Sequence, residues 1–192
     1  IVQLGLGAAA LTKFCWCEVS SASIVAVELS VDVIDAAHAW FCLPPDDARL
    51  NVVNADAREF ISHPRQRGLA DWLQVDLYDA AARGPVYDDV AFYRACRKAL
   101  RAPGVASFNL FGARFDPSFA AIASAFDDRA LVLPEVDAGN RVVLAVVGPP
   151  LDVPFAALDR RARELEARWN LKARGWVAGL RRANVFGASF EL

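Results

Sequence analysis

Short aliphatic runs, each closed by a glycine or an acid, alternate with stretches of helical period along most of the chain. No other feature restricts the fold as much. Ile1-Val2-Gln3-Leu4 ends in Gly5-Leu6-Gly7, and Ala8 to about Cys17 has the composition of a helix. Ile24-Val25-Ala26-Val27 closes on Glu28, after which Val31, Ile34, Ala37 or His38, and Phe41 recur at helical spacing. Leu43-Pro44-Pro45-Asp46-Asp47 breaks that helix, Leu50 to Asn54 reads as a third strand, and Asp56 is placed to N-cap a short helix through Ile61. Trp72 to Val75 is a fourth strand ending at Asp76. A loop containing Gly84-Pro85 leads to a helix from about Asp89 to Leu100, and Pro103-Gly104 turns the chain into a strand from Val105 to Leu110. After a helix over roughly Pro117 to Phe126, Leu131–Leu133 and Arg141–Val147 pair as a hairpin about a Gly139-Asn140 turn.

Strands alternating with helices make a parallel sheet covered on both faces through right-handed crossovers. The closing hairpin adds an antiparallel strand. The expected fold is therefore α/β, Rossmann-like and of the class I methyltransferase variant. Its sheet is mostly parallel and seven-stranded, ends in an antiparallel hairpin and carries helices on both faces over residues 1–149. After Gly148-Pro149-Pro150 the composition shifts to a C-terminal helical extension, residues 150–192. There Phe155, Leu158, Ala162, Leu165 and Trp169 form one stripe, while Arg160, Arg161, Arg163, Glu164 and Glu166 form a solvated face. A shorter segment runs around Trp176 to Leu180. These helices cover an open flank of the sheet or make a subunit contact, and a homodimer is the expected assembly.

Hydrophobic residues make up 55% of the chain and charged residues 23%, the composition of a folded domain. A net charge of -2 gives no field that would recruit nucleic acid or an anionic membrane, and no apolar run is long enough to span a bilayer. Cys15, Cys17, Cys42 and Cys96 lack a partner pair at metal spacing, and His38 and His63 are isolated. We therefore expect no metal and read the cysteines as buried thiols of a reducing cytoplasm. No G-x-S-x-G elbow is present, which disfavours acyl-transfer hydrolysis. The chain opens at Ile1 inside a strand pattern and contains no Met, so we expect that further sequence precedes it.

Ligands of open α/β sheets bind beyond the C-terminal strand ends. Gly5 and Gly7 allow a sharp turn and a close backbone approach, although Ala10 stands where a third glycine would complete G-x-G-x-x-G. Glu28, at the end of strand two, is placed to accept both hydroxyls of a ribose, or else to serve as a helix N-terminal acid. Asp56 is placed to receive an adenine amino group, or to act as a plain N-cap. A nicotinamide dinucleotide site would also use the glycine turn and an acid after strand two. The Asn54-to-Phe60 segment and the closing hairpin favour an adenosyl-sulfonium ligand instead, which has no phosphates to be held by a third glycine.

Several segments together resemble the core of spermidine synthases, the polyamine aminopropyltransferases. They are Val27-Glu28-Leu29, Val33-Ile34-Asp35, Phe41, Asp46-Asp47-Ala48-Arg49-Leu50, Asn54-Ala55-Asp56-Ala57-Arg58-Glu59-Phe60, Val75-Asp76-Leu77-Tyr78-Asp79, Gly84-Pro85, Phe92-Tyr93, Pro103-Gly104-Val105 and Asn109-Leu110. The resemblance runs from about Ile1 to Val147. It does not reach the family's N-terminal β-hairpin domain, which is not in this sequence. It implies decarboxylated S-adenosylmethionine as co-substrate, held by Gly5, Gly7, Glu28, Leu29, Asp56, Ala57 and Asp76. It also implies a small amine such as putrescine, held by Asp76, Tyr78 and Asp79, with Asp76 and Asp79 as the first and second acids of the catalytic D-x-x-D motif. The chemistry needs such acids, because a protonated diamine must be held, lose a proton and attack the carbon beside a sulfonium. The loop from Ala80 to Asp88 would close over the site and exclude water. Two departures stand out. The family's glycine-rich segment carries an acid that helps hold the aminopropyl ammonium, where this chain has Ala8, Ala9 and Ala10, and Ala80 replaces the Pro that commonly follows D-x-x-D. An S-adenosylmethionine-dependent methyltransferase, or a degenerate binding protein of the same fold, is the alternative.

Overall fold

The structure is a computed structural model that describes residues 1–81, 83–111, 115–135, 139–187 and 189–192. Strands β1 (Val2–Leu4), β2 (Ile24–Glu28), β3 (Leu50–Asn54), β4 (Ala70–Val75), β5 (Leu100–Phe111), β6 (Ala130–Val132) and β7 (Asn140–Val147) form one sheet in the order β3-β2-β1-β4-β5-β7-β6. The first five are parallel, and β7 runs antiparallel to both β5 and β6. The architecture is the Rossmann-like methyltransferase fold. Because β1 is flanked by β2 on one side and β4 on the other, the chain reverses direction across the sheet at β1. A crevice opens at that point, beyond the C-terminal strand ends.

Alternation along the strands sorts their side chains onto two faces. Val2, Leu4, Val27, Leu73 and Val75 point to one face, with helices α3 (Ala57–Ser62), α4 (Val90–Ala99) and α5 (Phe115–Ala125) packed on it. Phe92, Tyr93, Phe108 and Phe126 are fully buried there and meet edge to face in series. Ile24, Ala26 and Leu50 point to the other face, against Ala9, Cys15 and Ala37 of the region of α1 (Ala10–Glu18) and α2 (Val31–Phe41). Side-chain caps mark the helix starts. Ser30 accepts from Val33 N–H, Asp56 from Arg58 and Glu59 N–H, and Asp89 from Phe92 N–H.

Several local expectations need correction. Ala9 adopts a left-handed conformation (φ 55°), so α1 starts at Ala10 rather than Ala8. Pro103-Gly104 is no turn. It lies inside β5, where the register against β4 shifts between Ala70 and Trp72. The hairpin joining β6 and β7 is longer than a Gly139-Asn140 turn, because Asn140 already pairs with Phe111 and Leu133 N–H still donates to Val142. Cys15 and Cys96 are buried, but Cys17 and Cys42 are exposed. Two residues apart on a helix, Cys15 and Cys17 point in different directions.

The tail forms α6 (Phe155–Trp169) and α7 (Ala173–Ala183), bracketed by a small antiparallel pair, β8 (Asp152–Pro154) with β9 (Ser189–Glu191). These strands, three residues each, carry no alternating run that would reveal them. Trp169 packs edge-on against Phe14 and donates its ring N–H to Glu18 (2.6 Å), which ties α6 to α1. The Asn184 amide both donates to Val132 C=O (2.7 Å) and accepts from Val132 N–H (3.0 Å). It satisfies backbone groups that an unpaired edge strand would expose. Among the described residues, no helix is long and apolar enough to cross a membrane.

Candidate functional site

A cleft of about 790 Å³ opens over the C-terminal ends of β1, β2 and β4, and every residue singled out from the sequence lines it. Gly5, Gly7, Glu28, Leu29, Asp56, Ala57, Asp76, Tyr78 and Asp79 come from four separate stretches of chain and meet there because their strands are neighbours.

The glycine turn is tight for a measurable reason. Gly5 has φ +96°, and a Cβ there would lie 2.1 Å from the Asp76 carbonyl oxygen. Gly5 N–H donates to Val27 (2.8 Å) and Asp76 N–H to Leu4 (2.9 Å), so the ends of β1, β2 and β4 are pinned together at this crossing. Gly7 (φ +50°) faces open space, with nothing within 4 Å of its Cβ position. Glu28 is half-buried at the end of β2. Its carboxylate accepts Leu6 N–H (3.1 Å) from the glycine turn and Ser30 N–H (3.0 Å) from the start of α2, which fixes its orientation at the cleft. Leu29, beside it, is exposed.

Asp56 is both the cap of α3 and part of the wall. One oxygen takes Arg58 N–H (2.8 Å) and Glu59 N–H (2.9 Å), and the other accepts the Tyr87 hydroxyl. Burial pushes the Asp56 carboxyl up, but the Tyr87 hydroxyl, the two backbone N–H groups and the Arg58 guanidinium outweigh it and hold the group below its ordinary value. Arg58 lies over the Tyr87 ring, 4.4 Å from its centroid, and pairs with Asp89.

Asp76 is exposed at the end of β4, and Asn109 donates to its Oδ1 (2.9 Å). Its Oδ2 has no hydrogen-bond partner among the described residues. Asn140, the first residue of β7, donates both to Asn109 Oδ1 (3.0 Å) and to the Tyr78 hydroxyl (3.0 Å). One amide chain therefore orients Asp76 and Tyr78 together. Burial and the nearby Asp76 charge raise the Tyr78 hydroxyl above its ordinary value despite that hydrogen bond, so it stays protonated. Asp79 is differently placed. Its Oδ1 accepts Ala81 N–H (2.9 Å) and Arg83 N–H (2.8 Å), and its Oδ2 pairs with the Arg83 guanidinium (2.8 Å). Hydrogen bonds from the Arg83 backbone and side chain hold the Asp79 carboxyl below its ordinary value. Ala80, Val86 and Tyr87 of the expected closing loop line the cleft, while Ala82 lies outside the described residues.

The floor was missed. Gln3 and Gln74, opposite each other in β1 and β4, are 2% and 3% exposed and joined amide to amide, and Thr12 of α1 donates to Gln3 (2.7 Å). Such a network is tolerable in a core only when its members are satisfied. Among the described residues, no buried side-chain nitrogen or oxygen lacks a partner. A glutamine one place before the last residue of each of these two strands was the available signal. Asn109 in β5 was a similar one, but Asn140 and Tyr87 reach the site only through tertiary pairing.

The chain is 30% identical over 186 residues to the polyamine aminopropyltransferase of Chromobacterium violaceum, covering 96% of this chain and 70% of that one. The chain belongs to the polyamine aminopropyltransferase family. No protein-family model matches it. Among solved structures, a spermidine synthase in complex with the transition-state analogue AdoDATO superposes with a TM-score of 0.66 at 22% identity. That match covers 77% of this chain and 54% of the other, so the chain spans about half the length of that synthase. Human methyltransferase-like protein 13, in complex with SAH, gives a TM-score of 0.68 at 20% identity, covering 97% and 83% of the two chains. At these identities the structures speak for the fold, a frame that aminopropyltransferases share with methyltransferases.

Proposed function

We propose that the cleft binds the adenosyl part of decarboxylated S-adenosylmethionine and that the chain transfers its aminopropyl group to putrescine or a related small amine. The observation that carries this reading is the open Oδ2 of Asp76, held by Asn109 at the strand end that meets the glycine turn and Glu28. The sheet of residues 1–149 carries all these groups, and we assign residues 150–192 a supporting role in a cytoplasmic homodimer.

The residues present suit such a ligand. Gly5 and Gly7 leave the turn without side-chain bulk, and Glu28 presents a fixed carboxylate to a ribose diol. Leu29 offers an exposed apolar surface to a purine, and Asp56 with Ala57 would meet its edge. The relatives support an adenosyl ligand, because one solved neighbour holds AdoDATO and another SAH.

In the proposed step, Asp76 Oδ2 takes a proton from the attacking ammonium. The freed nitrogen lone pair forms a bond to the propyl carbon attached to the sulfonium sulfur. The carbon–sulfur bond breaks with its electron pair passing to sulfur, leaving a neutral thioether. Tyr78, kept protonated, aims its hydroxyl from beside Asp76, and Asp79 supplies a second negative charge for the acceptor.

Titration calorimetry with methylthioadenosine tests the binding claim. Wild-type protein should bind it. Glu28→Gln should bind about tenfold or more weakly, as expected on losing a charge-assisted hydrogen bond. Asp76→Asn should bind normally yet fail to turn over decarboxylated S-adenosylmethionine with putrescine. Absence of methylthioadenosine binding to the wild type would refute the adenosyl site, and unchanged turnover in Asp76→Asn would refute the role of Asp76.

A second reading, methyl transfer from S-adenosylmethionine, is favoured by one observation. The turn from Gly7 to Ala10 has no acid, and the first turn of α1 has none either, so nothing there repels a cofactor carboxylate. Tighter binding of the carboxylated cofactor than of the decarboxylated one would select this reading.

A further inference from the structure

The two acids of the cleft differ in what already occupies them. Asp76 has one oxygen without a hydrogen-bond partner among the described residues, whereas both oxygens of Asp79 already accept hydrogen bonds. Its Oδ1 is taken by two backbone N–H groups, and its Oδ2 receives a fork from Arg83, Nε at 2.9 Å and an Nη at 2.8 Å. The turn is closed by Asp79 N–H donating to Arg83 C=O (3.0 Å). It is held in place by Gly84, whose Cβ position lies 2.8 Å from both the Leu77 carbonyl oxygen and the Tyr78 ring. The Arg83 side chain itself is 81% exposed. Its guanidinium is therefore a cation resting on a carboxylate of the cleft wall, with nothing buried to hold it there.

We propose that Arg83 is an internal counter-ion that sets acceptor specificity, because the second ammonium of a diamine must displace its guanidinium from Asp79. This rests on the reading of the cleft as an amine site. An amine with one charge is held at Asp76 alone and never meets Arg83. A diamine reaches both acids, and its second contact is an exchange of one cation for another rather than the filling of an open site. The displaced guanidinium passes into water, so the exchange is reversible and its cost is small. Arg83 thereby narrows the advantage that two carboxylates would give a diamine over a monoamine.

The test uses the full chain saturated with methylthioadenosine, titrated with 1,4-diaminobutane and with 1-aminobutane. Arg83→Gln should bind the diamine about twofold to fivefold tighter than wild type, the range an exposed ion pair is worth. The monoamine affinity should stay within about 1.5-fold, since removing a screened surface charge acts weakly at a distance. In an Asp79→Asn background, Arg83→Gln should no longer change the diamine affinity. An equal gain for both probes would reveal a general field effect and overturn the proposal, as would an unchanged diamine affinity in a protein that binds the diamine. If nucleoside-saturated wild type binds no diamine at all, the amine-site reading fails and this inference fails with it.

Discussion

Replacing Gly5 and Gly7 separately by alanine should divide the glycine turn into a part that holds the fold and a part that admits the ligand. At Gly5 the new Cβ would stand 2.1 Å from the Asp76 carbonyl oxygen, a backbone atom that can move only by shifting the end of β4. A side chain at φ +96° adds strain of its own. Backbone strain of about 1–3 kcal/mol and overpacking of about 1–3 kcal/mol give a destabilisation of about 2–6 kcal/mol. Gly7, with φ +50° and nothing within 4 Å, carries only the left-handed cost. That is about 1–2 kcal/mol. With a urea dependence of about 2 kcal/mol per molar, the midpoint should fall by about 1–3 M for Gly5→Ala and about 0.5–1 M for Gly7→Ala. Tryptophan fluorescence during urea unfolding reads both. Gly7→Ala should nevertheless lose methylthioadenosine affinity, because Gly7 lines the cleft and an added methyl there takes space from a ligand lying over the turn. Equal midpoints for the two variants would refute the close approach of β1 and β4. Full nucleoside affinity in Gly7→Ala would refute the placement of the ligand over the turn.

Asn140→Ala should lower kcat about threefold to tenfold while leaving nucleoside affinity unchanged, since it removes hydrogen bonds that orient Asn109 and Tyr78. Steady-state kinetics with parallel calorimetry separates the two effects. Asn184→Ala should cost about 1–3 kcal/mol by leaving Val132 N–H and C=O without their partner. It should also raise light scattering on heating, because it bares the edge of β6. Asp56 and Asp89 are both held below their ordinary values. In Asp56 the Tyr87 hydroxyl, two backbone N–H groups and Arg58 overcome burial, and in Asp89 Arg58 leads. Their folded values lie below the unfolded ones, so their stabilisation is complete above about pH 5, once the unfolded-state carboxyls are ionised, and is lost as pH falls through the depressed values. Thermal melts should be flat in this respect from about pH 5 upward and decline below about pH 4, and Tyr87→Phe should shrink the acid-side decline.

The alternation of strand and helix, the acids closing β2 and β4 and the glycines closing β1 were all legible in the sequence. Each is a local pattern: side chains alternate every two residues in a strand, and a turn needs a residue able to reach positive φ. The closing hairpin was legible for the same reason, and with it the variant of the fold. Tertiary structure decided the rest. That β1 lies between β2 and β4 brings Gly5 under the Asp76 carbonyl and sets Gln3 against Gln74. That β7 inserts between β5 and β6 carries Asn140 to Tyr78 and Asn109, a meeting no local pattern announces. The two acids at 76 and 79 look equivalent as a spaced pair. Only the folded chain makes one open and the other occupied, because a carboxylate's partners are set by which N–H groups the loop returns to it, and at Asp79 that loop returns Arg83.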